Sequence, residues 1–289
     1  MHIKEVHMSD DLAQQLLETS RSIGLVNLEE RLIRSEWYEP AFFHSSRWAE
    51  FVAQVAQAWH DRHSLIVRGV PTDDGGTTLL AALSLSARFK SYRNNKIVKH
   101  FKMSPWTVEL SQTIQEGHFH TDLNTAPVPP AATVIHCHKP DPNPDMGESR
   151  IAGLYDLLNE LERRGEVETL AFLTKTKVDM VDEHKQGSWN GSIVAGDTIR
   201  FHPETLRAAA LRLGSLPQDL EHHLNIIHDS SMAVSEPIHL TPGDAIFVSN
   251  LRALHYRGEC TAQFTNYPRQ FLAREIYVLH LQDEPQWSA

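Results

Sequence analysis

From Thr107 to the end of the chain the apolar residues recur with a period near two, and Pro, Gly, Asn and Asp clusters cut the pattern into short runs. TVELSQTI (107–114), ATVIHCHKP (132–140), TKVDMV (176–181), DTIRFH (197–202), PIHL (237–240), DAIFVS (244–249) and FLAREIYVLHL (271–281) read as strands. So many short strands must hide their edges, which suits a jelly roll or barrel. No Gly-rich phosphate loop precedes a helix, so an alternating βαβ fold is disfavoured.

Helical signals surround this pattern. Ser9 and Asp10 can cap a helix through Leu17, and Ser46 can cap one from Arg47 to Trp59 with Phe51, Val52, Val55 and Trp59 on its apolar face. SLIVRGVP (64–71) reads as a buried strand, and Thr77 to Phe89 as a further helix. Helical stretches at about 153–174 and 203–232 interrupt the strands. With neither repeat nor long linker, residues 1–289 read as one domain. Its parts are a helix-rich region to 104, a first ligand and cosubstrate region at 105–152, a helical insertion at 153–235, and closing strands at 236–289.

A net charge of -10 argues against nucleic acid as the main partner. No apolar run reaches the length of a membrane span or a signal peptide, which points to a soluble, cytoplasmic protein that does not engage a membrane. Cys137 and Cys260 lack the spacing of a zinc site and read as free thiols.

EGHFHTD (116–122) places His118, His120 and Asp122 on one face if the segment is extended. That face could hold a metal or simply face water, since the chain has 18 histidines. A second clue lies in GDAIFVSNLRALHYR (243–257), where a turn and an apolar strand lead to His255. Two histidines and one carboxylate, here His120, Asp122 and His255, make the facial triad of non-haem Fe(II) oxygenases and leave positions open for other ligands.

These motifs together resemble the taurine dioxygenase and clavaminate synthase-like branch of the Fe(II)/2-oxoglutarate-dependent oxygenases. The parts that carry the resemblance are SLIVRGVP, HTD followed by APVPPAATVIHCHKP, the GES step at 147–149, NLRALHYR (250–257) and RQFLARE (269–275). The resemblance implies an α+β fold with a double-stranded β-helix (jelly-roll) core and flanking and inserted helices. It also implies Fe(II), 2-oxoglutarate and O2 as the reacting partners, with His120, Asp122 and His255 as the metal ligands. Relatives that halogenate carry a small residue at the carboxylate position, so Asp122 speaks for oxygenation.

Only His120-Thr121-Asp122 fits the family motif, which leaves His118 a pocket residue. Asn124, Thr125 and Trp106 are further pocket candidates, while Arg252 and Arg257 are expected to support the distal strand through ion pairs. His136 and His138 repeat the alternation without a carboxylate at matching spacing and read as structural.

Relatives bind the far carboxylate of 2-oxoglutarate with an arginine after the distal histidine and with a hydroxyl that Ser149 matches here. A planar guanidinium suits such bidentate contact. Arg269 and Arg274 compete for the role, and on one regular strand positions five apart face opposite sides. Distance from His255 favours Arg269, whereas parity with apolar Ile276 and Val278 favours Arg274. The expectation is Arg269 on the carboxylate, with Arg274 as a pocket residue.

The implied activity is oxidation, most simply hydroxylation, of an unactivated C–H bond of a small anionic or amino-acid-like metabolite, with release of succinate and CO2. A jelly roll using a metal for isomerase or hydrolase chemistry, or for binding alone, would not need these arginines.

Overall fold

In the computed structural model, which describes residues 3–37, 39–182, 187–214 and 220–284, the N-terminal third packs helices over a sheet. Four helices belong to it: α1 (Asp10–Ile23), α2 (Leu25–Ile33), α3 (Ser46–Arg62) and α4 (Gly76–Ala82). Ser9 caps α1 by accepting from the Leu12 amide, as its sequence suggests. The cap of α3 is Ser45 rather than Ser46, because the Ser45 hydroxyl accepts from the Trp48 amide at 3.2 Å. Helix α4 ends at Ala82, well short of Phe89, where Ser84 donates its hydroxyl to the Ala81 carbonyl.

The strands follow the alternating pattern in outline. In chain order they are β1 (Lys4–His7), β2 (Ser64–Arg68), β3 (Lys99–Lys102), β4 (Ala132–Lys139), β5 (Ser149–Gly153), β6 (Lys177–Asp182) and β7 (Gly187–Ser192). After these come β8 (Val194–Ala195), β9 (Thr198–Ile199), β10 (Ala245–Ser249), β11 (Ala253–Arg257), β12 (Ala262–Asn266), β13 (Gln270–Ala273) and β14 (Glu275–Leu281). Six of them form a mixed sheet in the order β1-β2-β10-β4-β14-β3, in which only β1 and β2 run parallel.

Strands β2, β10 and β14 read as unbroken apolar runs because both faces of the sheet are covered. Leu65, Val67, Phe247 and Leu279 pack under the N-terminal helices. On the opposite face Ile66, Ile246 and Val248 meet Ile151 and Ala253 of an antiparallel β5–β11 pair. Burying such a side chain is worth about 1.5–3 kcal/mol, so these two layers of apolar contacts fix the distance between the sheet and the β5–β11 pair.

Several expected strands are shorter or absent. TVELSQTI is a turn with one bridge, Ser104 to Thr113. DTIRFH retains only the two residues of β9, and PIHL contributes one bridge, Ile238 to Ser149. FLAREIYVLHL breaks at Arg274 into β13 and β14, and the pairing of β14 with β4 shifts register between Glu275 and Ile276.

The insertion folds as α5 (Leu154–Arg164), α6 (Val167–Thr174), α7 (Pro203–Leu213) and α8 (Leu220–Val234) around its own core of Leu157, Phe172, Met180, Phe201 and Leu224. Residues 215–219 of the expected 203–232 helix lie outside the described residues. Gly165, in a left-handed conformation, ends α5 and splits the 153–174 stretch. Among the described residues no helix is long and apolar enough to cross a membrane.

Candidate metal centre

The HTD segment is not a regular strand. His120 pairs with His255 of β11 through one antiparallel bridge, its amide 3.0 Å from the His255 carbonyl and its carbonyl 3.1 Å from the His255 amide. This pairing sets the two imidazoles side by side, with ring centroids 4.3 Å apart. Thr121 locks the next position, its amide donating to the Phe201 carbonyl and its hydroxyl accepting from the Phe201 amide. The chain then turns through Leu123 in a left-handed conformation (φ 50°), so Asp122 faces the sheet.

Asn250 fixes that turn. Its side-chain carbonyl accepts from the Asp122 amide at 2.6 Å, and its side-chain amide donates to the carbonyls of Asp122 and Pro130. The first residue of NLRALHYR thus anchors the loop that carries the carboxylate.

Ligand atoms of His120, Asp122 and His255 lie within 4.8 Å of one another, and no other described group of three or more His, Cys, Asp or Glu residues could hold a metal ion. His120 Nε2 is 3.7 Å from Asp122 Oδ1, and His255 Nε2 is 3.4 Å from Asp122 Oδ2. His120 Nδ1 donates to the His118 carbonyl at 2.7 Å, which assigns the lone pair to Nε2, the nitrogen turned toward the carboxylate. Two imidazole nitrogens and one carboxylate so placed fit an iron ion with coordination positions left open.

Charge in this half-buried cluster is shared. Burial would raise the Asp122 pKa, but the nearby His255, His280 and His120 outweigh it and hold the carboxyl well below the ordinary range. Burial and then His120 push His255 down to about 4, so its imidazole is neutral, as a ligand must be. For His120 burial acts downward, yet the hydrogen bond and charge of Asp122 leave its pKa raised.

Four groups that sequence reasoning missed complete the surroundings. Thr133 on β4 donates its hydroxyl to Asp122 Oδ2 at 2.8 Å, and His280 on β14 places Nε2 3.1 Å from the same oxygen. Tyr92 in turn meets His280 Nδ1 through its hydroxyl. His202, whose Nδ1 caps α7 by accepting from the Glu204 amide, lies with its ring 4.9 Å from that of His120. A histidine inside the apolar run YVLHL was a readable signal for His280; nothing in DTIRFH singled out His202.

His118 turns away from the triad to Glu204, 3.1 Å distant, which also pairs with Arg207 at 2.5 Å. Asn124 is buried and donates to Thr205 Oγ1 and toward Met180 Sδ, while Thr125 packs against Gly187. The contacts of both are with the helical insertion and its β6–β7 hairpin rather than with the triad. Trp106 is exposed and lies against Phe264 and Tyr267 of the β12–β13 hairpin. Arg252 makes the expected ion pairs, with Asp197 at 2.8 Å and with Glu284. Arg257 instead donates to backbone carbonyls, at 2.7 Å from Gln115 and 3.1 Å from Gly258.

The two arginines of RQFLARE divide against the expectation. Arg269, the residue expected on the cosubstrate carboxylate, sits exposed at the turn of the β12–β13 hairpin. Residues 262–273 form a hairpin of their own, so counting along the chain from His255 does not count along one strand. Arg274, immediately before β14, is instead in the interior, 2 % exposed.

Arg274 Nη2 donates to Ser149 Oγ at 2.9 Å, while Nη1 is buried without a partner. Burial pulls this guanidinium below its ordinary pKa, and no described carboxylate forms an ion pair with it. A buried cation left this way is costly unless an anion completes it. Ser149 lies opposite Arg257 on the β5–β11 pair, two residues from the His255 position, or about 7 Å along the strand. Gly147 of the GES step makes room: its φ is +68°, and a Cβ there would come within 3.4 Å of Arg274 Cδ and 2.9 Å of Asp141 Cβ.

The comparisons agree with this architecture. A solved structure of asparagine oxygenase superposes with a TM-score of 0.67 at 15% identity, covering 97% of this chain and 93% of that one. The non-haem iron oxygenase OrfP, in complex with Fe, succinate and (3S)-hydroxy-L-Arg, matches at 0.67 and 15% identity over 96% and 94% of the two chains. A taurine dioxygenase from Burkholderia xenovorans matches at 0.53 and 17% identity over 82% and 83%. No curated protein sequence matches the chain. The family model described as taurine catabolism dioxygenase TauD, TfdA family matches residues 42–274, and the chain belongs to that family of non-haem Fe(II)/2-oxoglutarate-dependent dioxygenases.

Proposed function

We propose that this protein is a single oxygenase domain on a double-stranded β-helix core that hydroxylates an unactivated C–H bond of a small amino-acid-like metabolite. His120, Asp122 and His255 hold Fe(II), and Arg274 with Ser149 binds the far carboxylate of 2-oxoglutarate. The observation that carries the reading is the buried guanidinium with an unpaired Nη1, about two strand residues from the triad. A five-carbon dicarboxylate chelating the metal through its keto acid would present its other end to that cation, with bidentate geometry available.

Iron with 2-oxoglutarate and O2 supplies the oxidising chemistry, with succinate and CO2 as coproducts. The chain contributes ligand orientation, a neutral His255 imidazole and apolar packing between the sheet and the β5–β11 pair. The insertion also carries His202, whose ring lies 4.9 Å from that of His120. Support for an amino-acid-like substrate comes from neighbours whose structures hold 2S,3S-3-hydroxyasparagine with succinate and (3S)-hydroxy-L-Arg with succinate.

The test is succinate formation with Fe(II), 2-oxoglutarate, O2 and a panel of free amino acids and small amines. Substrate-dependent release that disappears in His120→Ala and His255→Ala is the expected result. Release unchanged in both variants rejects the metal assignment.

A further inference from the structure

Three consecutive residues of the insertion, Arg200, Phe201 and His202, run beside the loop that carries two of the three triad residues. Phe201 exchanges hydrogen bonds with Thr121, the spacer between His120 and Asp122, and the His202 ring lies 4.9 Å from that of His120. Arg200 reaches the stretch that follows Asp122. Its Nη1 donates to the Ala126 carbonyl at 2.9 Å and toward the Asn124 carbonyl at 3.4 Å, and its Nη2 donates to the Pro127 carbonyl at 3.2 Å.

The guanidinium carbon lies 5.0 Å from the centre of the Trp189 ring on β7, within the range of cation–π attraction. Among the described residues no carboxylate forms an ion pair with it, so three carbonyls and a ring are its surroundings. A planar fork of five N–H donors can gather several carbonyls at once. Here they belong to a turn that the backbone disfavours, because Leu123 has a φ of 50°, uncommon for a residue other than glycine. The Ala126 amide closes that turn on the Leu123 carbonyl at 2.9 Å.

Asn250 holds the two ends of the loop, at Asp122 and Pro130, and Arg200 holds its middle. Arg200 is itself fixed: its amide donates to the Ile193 carbonyl, and the amide of Ile199 donates to the Leu251 carbonyl just before β11, each at 2.8 Å. The guanidinium therefore acts from a rigid base.

We infer that Arg200 is a positioning residue, which holds Leu123 in its left-handed turn and so aims Asp122 at the metal. The inference rests on the metal assignment proposed above. Without the fork, Leu123 relaxes toward ordinary backbone angles and the loop takes another path between its anchors. The carboxylate at one of those anchors turns with it, away from His120 and His255. The insertion thus acts on the metal centre without supplying a ligand.

The experiment uses the full chain under anaerobic conditions. Co(II) affinity is measured by competition with a chelator, and the visible absorption of the bound Co(II) reports the arrangement of its ligands. The expected loss of affinity in Arg200→Met is about tenfold, the low end of what removing a ligand's supporting partner causes. Arg200→Lys keeps the charge without the fork and is expected to lose about fivefold. The discriminating variant is Leu123→Asn, since asparagine visits the left-handed region more readily than leucine. Added to Arg200→Met, it is expected to recover about threefold of the affinity and to restore the parent's Co(II) spectrum.

Co(II) affinity within twofold of the parent in folded Arg200→Met overturns the inference, as does a loss that Leu123→Asn leaves unrepaired. Should Arg200→Met fail to fold, Arg200→Lys, alone and with Leu123→Asn, decides by the same two readings. His120→Ala separates the two levels: if it leaves Co(II) affinity unchanged, the metal assignment itself has failed.

Discussion

The chain carries two His-x-His pairs, His118/His120 and His136/His138, and they end in opposite roles. His136 is fully buried with both ring nitrogens engaged, Nε2 with the Val70 carbonyl at 3.2 Å and Nδ1 with the Thr78 hydroxyl at 2.7 Å. Burial drives its pKa down to about 4. His120 engages only Nδ1, and its Nε2 is turned toward Asp122 beside His255. The second members differ as well: His118 pairs with Glu204, and His138 packs against the rings of His100 and Tyr277. The spacing is the same; a carboxylate two residues on, and a nitrogen left without a backbone partner, separate the candidate ligand from the core residue.

The sharpest break of that comparison is at the metal. His120→Ala or His255→Ala should lower Co(II) affinity more than about a hundredfold, beyond the loss typical of a ligand's supporting partner. His136→Ala should leave Co(II) affinity within twofold and instead destabilise the fold by about 2–4 kcal/mol, read by denaturant unfolding. A His136 variant that loses metal while remaining folded would erase the distinction.

Arg274→Met should raise the 2-oxoglutarate concentration for half-saturation by about 10–100-fold, equivalent to about 1.4–2.8 kcal/mol. Binding calorimetry on the Co(II) form measures it. Arg269→Ala should do nothing there, and a reversal of the two results would restore Arg269 to the pocket.

The third effect is of pH. His136 has a folded pKa near 4 against about 6.5 unfolded, so between these values the unfolded state binds more protons. Its contribution is complete above about pH 6.5 and is lost as pH falls through 4, by up to about 3 kcal/mol. Thermal unfolding of the metal-free protein should show this slope, and His136→Gln should flatten it. The smallest effect is stability in Arg269→Ala, within about 0.5 kcal/mol of the parent for an exposed turn residue.

Legibility followed the physics of each element. Strands β2, β4 and β10 were readable because continuous apolar runs bounded by turn residues are what a sheet covered on both faces requires. TVELSQTI carried the same alternation but had no partner strand beyond one bridge, and alternation alone cannot report that. Among site residues, HTD and the distal His255 stood out by type and spacing. Thr133, Tyr92, His280 and His202 reach the metal centre from other regions of the chain and carry no local mark as strong.

The sequence by itself marked His120, Asp122 and His255, because two imidazoles and a carboxylate are chemical types that spacing can mark, and the structure brings these three together; it also marked two arginines after His255. Which arginine is buried was a tertiary decision: the β12–β13 hairpin takes Arg269 out to solvent, and Arg274, immediately before β14, lies in the interior against Ser149. The hydrogen bond from the Thr133 hydroxyl to Asp122 Oδ2 was likewise settled only by folding. Hydrogen bonds between residues far apart in the chain depend on sheet register, and register is set by the packing of whole layers rather than by any one motif.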